Sequence, residues 1–139
     1  MTDISLKNLL QSTPQQVFDF VKPRLLAQGK KSEVAIGGEL SCAYRDGALR
    51  CAFGFLIADD EYDSKWETYS ADCVIGDFVT GKFIGASQEE IAAKSGVLLP
   101  DVRKMLSMCT DLQNVHDFCP VEDWPDRLDQ LAAVYGLTP

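Results

Sequence analysis

The dipeptide Asp46-Gly47 constrains the fold of this chain more than any other feature, because it predicts a tight β-hairpin turn. A two-residue type I′ turn needs φ > 0 at both central positions, and Asp-Gly is one of the few pairs that accept this. We therefore predict a hairpin over residues 39–53 in which Cys42 and Cys51 face each other. At such a non-hydrogen-bonded position the two Cα atoms approach to about 4.5 Å. The two thiols are then either small packed side chains or a redox-sensitive pair.

Start and stop residues predict a helix in the N-terminal part of the chain. Thr13 is a candidate N-cap, Pro14 stands at the first helical position, and Gln16 completes a capping box. Gly29 is a natural C-terminal stop. Pro23 falls inside this pattern, so we expect a kink or an early end there.

The C-terminal third carries three further helix patterns. Ser87 and Glu90 form a capping box for a short helix that Gly96 ends. Pro100 opens a longer helix, and Asp123 caps a last one over residues 124–135. The longer helix has an apolar stripe at helical spacing, which predicts one buried face. Its members are Val102, Met105, Leu106, Cys109, Leu112, Val115 and His116.

These elements predict a single α+β domain over residues 1–139, a length close to the modal size of one domain. We expect an N-terminal helix, a small antiparallel sheet built on the 39–53 hairpin, and C-terminal helices packed on that sheet. Residues 1–12 are a candidate flexible arm. Residues 53–57 fit a strand or a buried helix, and residues 66–86 fit short strands or an irregular buried loop.

The chain is acidic, with 13 Lys and Arg side chains against 21 Asp and Glu, a formal net charge of −8. The excess of acidic side chains lies after residue 50, because residues 1–50 hold seven basic and only five acidic groups. This balance argues against a non-specific nucleic-acid binder or a binder of anionic membranes, both of which depend on positive charge. Seven acidic side chains are candidates for contact with a partner: Asp59, Asp60, Glu61, Asp63, Glu122, Asp126 and Asp129.

The sequence lacks the short motifs that mark secreted, membrane-spanning and metal-binding proteins. The start shows no basic, apolar leader, and the longest apolar stretch, residues 48–58, contains Arg50. An odd number of cysteines, five, without a regular framework indicates reduced thiols. Their spacings match no zinc motif, and the acids at 59–67 lack the glycine and glutamate of a calcium loop. We therefore expect a cytoplasmic protein with no membrane span, metal or cofactor.

Residues 88–106 resemble a helix-turn-helix, with Gly96 in the turn. In that interpretation Lys94, Arg103 and Lys104 are the side chains that contact nucleic acid. Two packed helices joined by a glycine turn produce the same pattern without a DNA function, so both interpretations stay open.

The pair His116-Asp117 suggests a second chemistry. A buried imidazole on the apolar stripe is one interpretation. The other is a thiol-dependent enzyme in which His116 lowers the pKa of Cys51 and Asp117 orients the ring. Neighbouring residues on a helix point about 100° apart, which makes Asp117 an awkward partner for His116.

Four motifs carry a resemblance to a group of small bacterial and phage-encoded hypothetical proteins. These motifs are Q-G-x-x-S at 28–32, C-x-Y-R at 42–45, C-A-x-G-x-L-I-x-D-x-x-Y at 51–62 and L-Q-x-x-H-D at 112–117. The resemblance brings no activity with it. It implies that the shared polar positions form one internal network bracing hairpin to helix, namely Tyr44, Arg45, Asp59, Tyr62, His116 and Asp117.

The sequence therefore favours a small acidic accessory protein that binds a protein partner with a basic surface. An inhibitor or immunity role, encoded by a phage or mobile element, is the expected kind. The alternatives are a helix-turn-helix regulator acting through residues 88–106 and a thiol-dependent enzyme using Cys51 and His116.

Overall fold

Six α-helices and two short antiparallel hairpins make up residues 3–139, the part of the chain that this computed structural model describes. The helices are α1 (Leu6–Leu9), α2 (Pro14–Gln28), α3 (Ala71–Thr80), α4 (Gln88–Ser95), α5 (Leu99–Phe118) and α6 (Trp124–Val134). The strands are β1 (Glu33–Ile36), β2 (Glu39–Cys42), β3 (Arg45–Asp46) and β4 (Leu49–Arg50). Three 3₁₀ turns cover Phe53–Leu56, Ser64–Trp66 and Val121–Asp123. The predicted α+β class is confirmed.

Helix α5 lies at the centre of the core and packs against α2, α3, α4 and α6. Its predicted apolar stripe, Val102 to His116 at helical spacing, is buried throughout. The 3₁₀ turn Phe53–Leu56 contacts both α2 and α5 and links the hairpins to the helices. Among residues 3–139, no helix has both the length and the apolar character needed to cross a bilayer.

The predicted helix termini are present, but the Asp123 side chain at the start of α6 makes no capping hydrogen bond. In α2 the Thr13 hydroxyl accepts from the Gln16 N–H at 3.1 Å, and Gln16 Oε1 accepts from the Thr13 N–H at 2.9 Å. Gly29 ends the helix with φ +60°. An early end at Pro23 is wrong, because the helix continues to Gln28. Proline removes only one N–H donor, while Leu25, fully buried beyond it, keeps this face in the core.

The first hairpin joins β1 to β2 through Gly37-Gly38, and the sequence interpretation missed it. Both glycines have positive φ, 59° and 83°. That is the pattern of a type I′ turn, which two glycines adopt without steric cost. Most of the strand pairing therefore lies over residues 33–42, which precede the predicted turn at Asp46-Gly47.

The second hairpin turns at Gly47 as predicted, but its two-residue loop lies one residue later than predicted and its strand pairing is shifted by two residues. Arg45 pairs with Arg50 and Asp46 with Leu49, so the loop is Gly47-Ala48. Only Gly47 has a positive φ, 58°, as in a type II′ turn. The glycine takes the left-handed position because it has no Cβ, and Asp46 stays in the strand.

The predicted pairing of Cys42 with Cys51 is wrong as a consequence. Cys42 lies opposite Glu33 in the first hairpin, and Cys51 follows β4 just before a 3₁₀ turn. Both thiols are free.

Residues 66–86 contain helix α3 instead of strands or an irregular loop. The Ser70 hydroxyl caps it by accepting from the Cys73 N–H at 3.3 Å, and Gly81 ends it with φ +77°. Gly76, a poor helix former, obscured the pattern. It is needed because a Cβ there would come within 2.9 Å of the Ala86 Cβ.

The N-terminal segment is packed, in contrast to the flexible arm that we expected over residues 1–12. Ile4, Leu6, Leu9 and Leu10 are buried, whereas Met1 and Thr2 lie outside the described residues. Glu61 holds this segment from the distant acidic loop. Its carboxylate accepts from four donors: the Ser5 hydroxyl and the N–H groups of Leu6, Lys7 and Ala58.

Replacing Glu61 by alanine is expected to release this segment. Its loss leaves backbone N–H groups at the start of α1 without an acceptor, a cost of about 2–3 kcal/mol for charge-assisted bonds. Hydrogen exchange at Leu6 and Lys7 should accelerate strongly, together with a lower urea midpoint. Asp60→Ala is the matched control, since Asp60 is exposed and makes no hydrogen bond within the described chain. Equal effects of the two changes would contradict the anchoring role.

Candidate functional site

His116 is a fully buried imidazole held by two hydrogen bonds. The Ser32 N–H donates to Nε2 at 3.0 Å, so the ring proton must lie on Nδ1. Nδ1 donates to Asp117 Oδ1 at 2.8 Å. The ring also stacks on Trp124, with centroids 5.6 Å apart. The structure thus shows a satisfied core histidine with two hydrogen-bond partners.

Asp117 is the centre of a hydrogen-bonded network around His116, which we call the first network. Its Oδ1 also accepts from Gln113 Nε2 at 2.7 Å, and Gln113 Oε1 accepts from the Phe53 N–H at 2.9 Å. The expectation that Asp117 is badly placed for His116 is wrong. Nδ1 is the ring nitrogen nearer the backbone, and a short carboxylate on the next residue reaches it. The network ties α5 to Ser32 and to the 3₁₀ turn.

Cys42 completes a group with the ligand types of a zinc site. Its sulfur, a His116 nitrogen and an Asp117 oxygen all lie within 4.8 Å of one another. Histidine ligands nearly always donate their other ring N–H, but here Nε2 accepts from the Ser32 N–H. Burial and a hydrogen bond to Asp117 also raise the pKa of Cys42 to about 12, which keeps the thiol protonated. The cluster fits a hydrogen-bonded brace better than a metal centre.

Cys51, the candidate nucleophile, is not hydrogen-bonded to His116. Its Sγ accepts from the Gly54 N–H at 3.2 Å, and burial raises the pKa of this thiol well above its usual range. Cys51 and His116 both have no exposed surface, so a substrate does not reach either. The thiol that the fold brings to His116 and Asp117 is Cys42, which the sequence interpretation did not select.

A second network surrounds Arg45. Its Nη1 lies 2.9 Å from Asp59 Oδ1, and its guanidinium stacks over the Tyr62 ring at 4.4 Å. The Tyr62 hydroxyl donates to Glu67 at 2.5 Å, and Glu67 also accepts from the Tyr44 N–H at 2.8 Å. The polar positions of the motifs therefore form two networks, on either side of residues 42–45, where one was expected. Glu67 was missed because it lies outside every motif.

A groove of 630 Å³ opens between the first hairpin, the loop before α3 and the C-terminal half of α5. Three large apolar side chains at this groove are exposed: Leu40 by 72%, Tyr69 by 41% and Phe118 by 80%. Cys42 and Asp117 of the first network also line it. These segments are far apart in the chain, so no sequence pattern indicated the groove.

Thr68 also lines the groove and carries backbone strain. Its φ is +70°, and no other non-glycine residue of the described chain has a positive φ. For a β-branched residue this conformation costs about 1–3 kcal/mol, and such strain concentrates at ligand-binding positions.

The helix-turn-helix candidate is a packed helix pair with three exposed basic side chains, one of which is paired within the chain. Ile91 of α4 and Val102 of α5 are buried, and the two helices pack against each other. Lys94, Arg103 and Lys104 are exposed. Arg103, however, donates to Gln88 at 3.0 Å and lies 3.5 Å from Glu89. This partial neutralisation weakens the case for a nucleic-acid surface.

The acidic candidates differ in their surroundings. Asp59 pairs with Arg45 and Arg50, Asp63 with Lys65, Asp129 with Lys22, and Glu61 is used internally. Asp60, Glu122 and Asp126 are exposed and form no ion pair among residues 3–139. These three carboxylates are free to attract a basic partner.

Comparison with models of known protein families, with curated proteins and with solved structures finds no match to this chain. The chemistry of the described residues therefore carries the functional interpretation.

Raising the pH above about 9 is expected to destabilise the chain. Burial, with a hydrogen bond to Glu67, raises the pKa of Tyr62 to about 12. Burial also raises the pKa of Cys42 to about 12. The folded state then holds protons that the unfolded chain releases, so this stabilisation is complete below about pH 9 and is lost as the pH approaches about 12. Urea midpoints measured from pH 7 to pH 11 should fall, and less steeply for Cys42→Ser. A constant midpoint would contradict this.

Proposed function

We propose that this chain is a small accessory protein that acts by binding a protein partner, in the manner of an inhibitor or immunity protein. The observation that carries the proposal is the groove beside α5 with Leu40, Tyr69 and Phe118 exposed around it. Apolar side chains that cluster around a cavity typically mark a surface that another molecule covers.

The candidate catalytic groups favour binding over catalysis. Cys51 and His116 are sealed in the core, and each satisfies hydrogen bonds that hold the fold together. A neutral, inaccessible thiol is a poor nucleophile.

The surface charge supports a partner with a basic surface. Asp60, Glu122 and Asp126 present unpaired negative charge, on a chain whose net charge is −8. Such charge speeds the encounter with a basic partner and makes association dependent on salt.

Affinity capture from cells that naturally express the chain, followed by native mass spectrometry, tests this proposal. We expect a stoichiometric protein partner with the unmodified chain, lost with the double variant Leu40→Asp, Phe118→Asp. The matched control is Ile84→Asp, Leu98→Asp, which alters two side chains exposed by 64% and 73% outside the groove lining. Thermal unfolding confirms that both variants are folded. Failure to recover a stoichiometric partner with the unmodified chain overturns the proposal.

A further inference from the structure

Resting on the proposed function, we infer that the groove beside α5 binds a partner segment in which an arginine or lysine stands among apolar residues. The groove combines a free carboxylate with exposed apolar side chains. An uncharged or acidic segment can cover the apolar side chains but cannot form an ion pair with the carboxylate.

The charges of the groove are negative. Among residues 3–139, Glu33 and Asp117 line it, and no lysine or arginine does. Lys31 lies beside it, with Nζ 3.4 Å from the Asp117 carbonyl oxygen, which leaves these three groups with a net charge of −1. Asp117 already accepts from His116 and Gln113. The Glu33 carboxylate forms no hydrogen bond or ion pair within the described chain, so it is free to receive a cation.

The hairpin places this carboxylate among apolar groups. Glu33 pairs with Cys42 across β1 and β2, and Leu40 is two residues from Cys42 on the same strand. Because side chains alternate along a strand, these three side chains share one face. Tyr69 and Phe118 line the same cavity. A long cationic side chain that reaches Glu33 therefore passes apolar and aromatic surface.

Arginine fits this surface better than lysine. Its planar guanidinium pairs with a carboxylate in two-pronged fashion and stacks on aromatic rings. A groove of 630 Å³ lies within the range of roughly 300–1,000 Å³ typical of ligand pockets. It therefore accommodates a few side chains of a short segment, and not a whole folded surface.

The strained rim indicates that the groove is formed before binding. Thr68 has a positive φ, and the backbone of Tyr69 beside it is held by the Tyr44 hydroxyl, which donates to the Tyr69 carbonyl. A preformed rim lowers the ordering cost of binding a segment.

Selection from a random 12-residue peptide display library tests the inference directly. The library is selected on the unmodified chain and counter-selected on the double variant Leu40→Asp, Phe118→Asp. We expect enriched peptides to carry arginine or lysine flanked by apolar residues. Synthetic copies should bind about tenfold more weakly to Glu33→Gln, through loss of a charge-assisted hydrogen bond. Glu39→Gln is the matched control, since Glu39 is exposed on the opposite face of the same hairpin, and it should bind unchanged.

Three results would overturn the inference: no enrichment over the double variant, enriched peptides without a basic residue, or equal binding to Glu33→Gln and to the unmodified chain. The proposed function fails separately, when the unmodified chain captures no stoichiometric partner. Capture of a partner that also binds the groove variants would leave the accessory role in place and remove only this groove from it.

Discussion

Replacing Gly54 by alanine is expected to destabilise the chain by about 3 kcal/mol or more, the upper part of the range for overpacking a core. Gly54 is buried in the 3₁₀ turn Phe53–Leu56. A Cβ at this position overlaps the carbonyl oxygen of Tyr44 and lies 3.3 Å from Cys51 Sγ. The carbonyl belongs to the backbone and has no rotamer to change, so either the 3₁₀ turn or residues 42–45 must move.

Urea unfolding of Gly54→Ala measures this cost. Gly47→Ala is the control, because a Cβ on Gly47 meets open space and only its positive φ of 58° opposes the change. We expect that control to lose about 1 kcal/mol. A Gly54→Ala variant no less stable than Gly47→Ala would contradict the close approach of the turn to Tyr44.

Replacing His116 by alanine is expected to cost about 3–5 kcal/mol, a large part of the roughly 5–15 kcal/mol that stabilises a domain. Two effects add. The Ser32 N–H loses its acceptor inside the core, the Asp117 carboxylate loses one of its two donors, and a cavity opens against Trp124.

Chemical denaturation checks this, with two comparisons on the same helix. Asn114→Ala changes an exposed side chain and should stay within about 0.5 kcal/mol of the unmodified chain. Asp117→Asn keeps an oxygen that accepts from Nδ1, so it should lose less than His116→Ala. A loss below about 1 kcal/mol for His116→Ala would show that the brace does not stabilise the fold.

The helix termini were predictable because each depends on residues close in the chain. The Thr13–Gln16 capping box and the Gly29 stop of α2 follow from bonds that span four residues or fewer. The central apolar stripe of α5 follows from helical periodicity in the same way. Helix α3 was missed because glycine at position 76 has a low helix propensity. A glycine is needed there because a Cβ would come too close to Ala86, in the loop after that helix.

Glu61 and Asp60 have different roles that the sequence alone does not distinguish. The two acidic residues are neighbours in one loop, and the sequence predicts contact with a partner for both. Glu61 instead binds donors 54–56 residues away, whereas Asp60 remains exposed. Their roles differ only because the loop is placed against the start of α1.

The candidate site follows the same division. The sequence by itself determined helices α2, α4, α5 and α6, the stripe that buries His116 and the glycine turn at residue 47, because turns, caps and periodicity involve neighbours within about one helical turn. Only the tertiary structure decided that Cys42 and not Cys51 joins His116, and that Glu33, Thr68 and Phe118 line one groove. Such contacts depend on how separate elements pack, since the short-range preferences of each element are compatible with many arrangements.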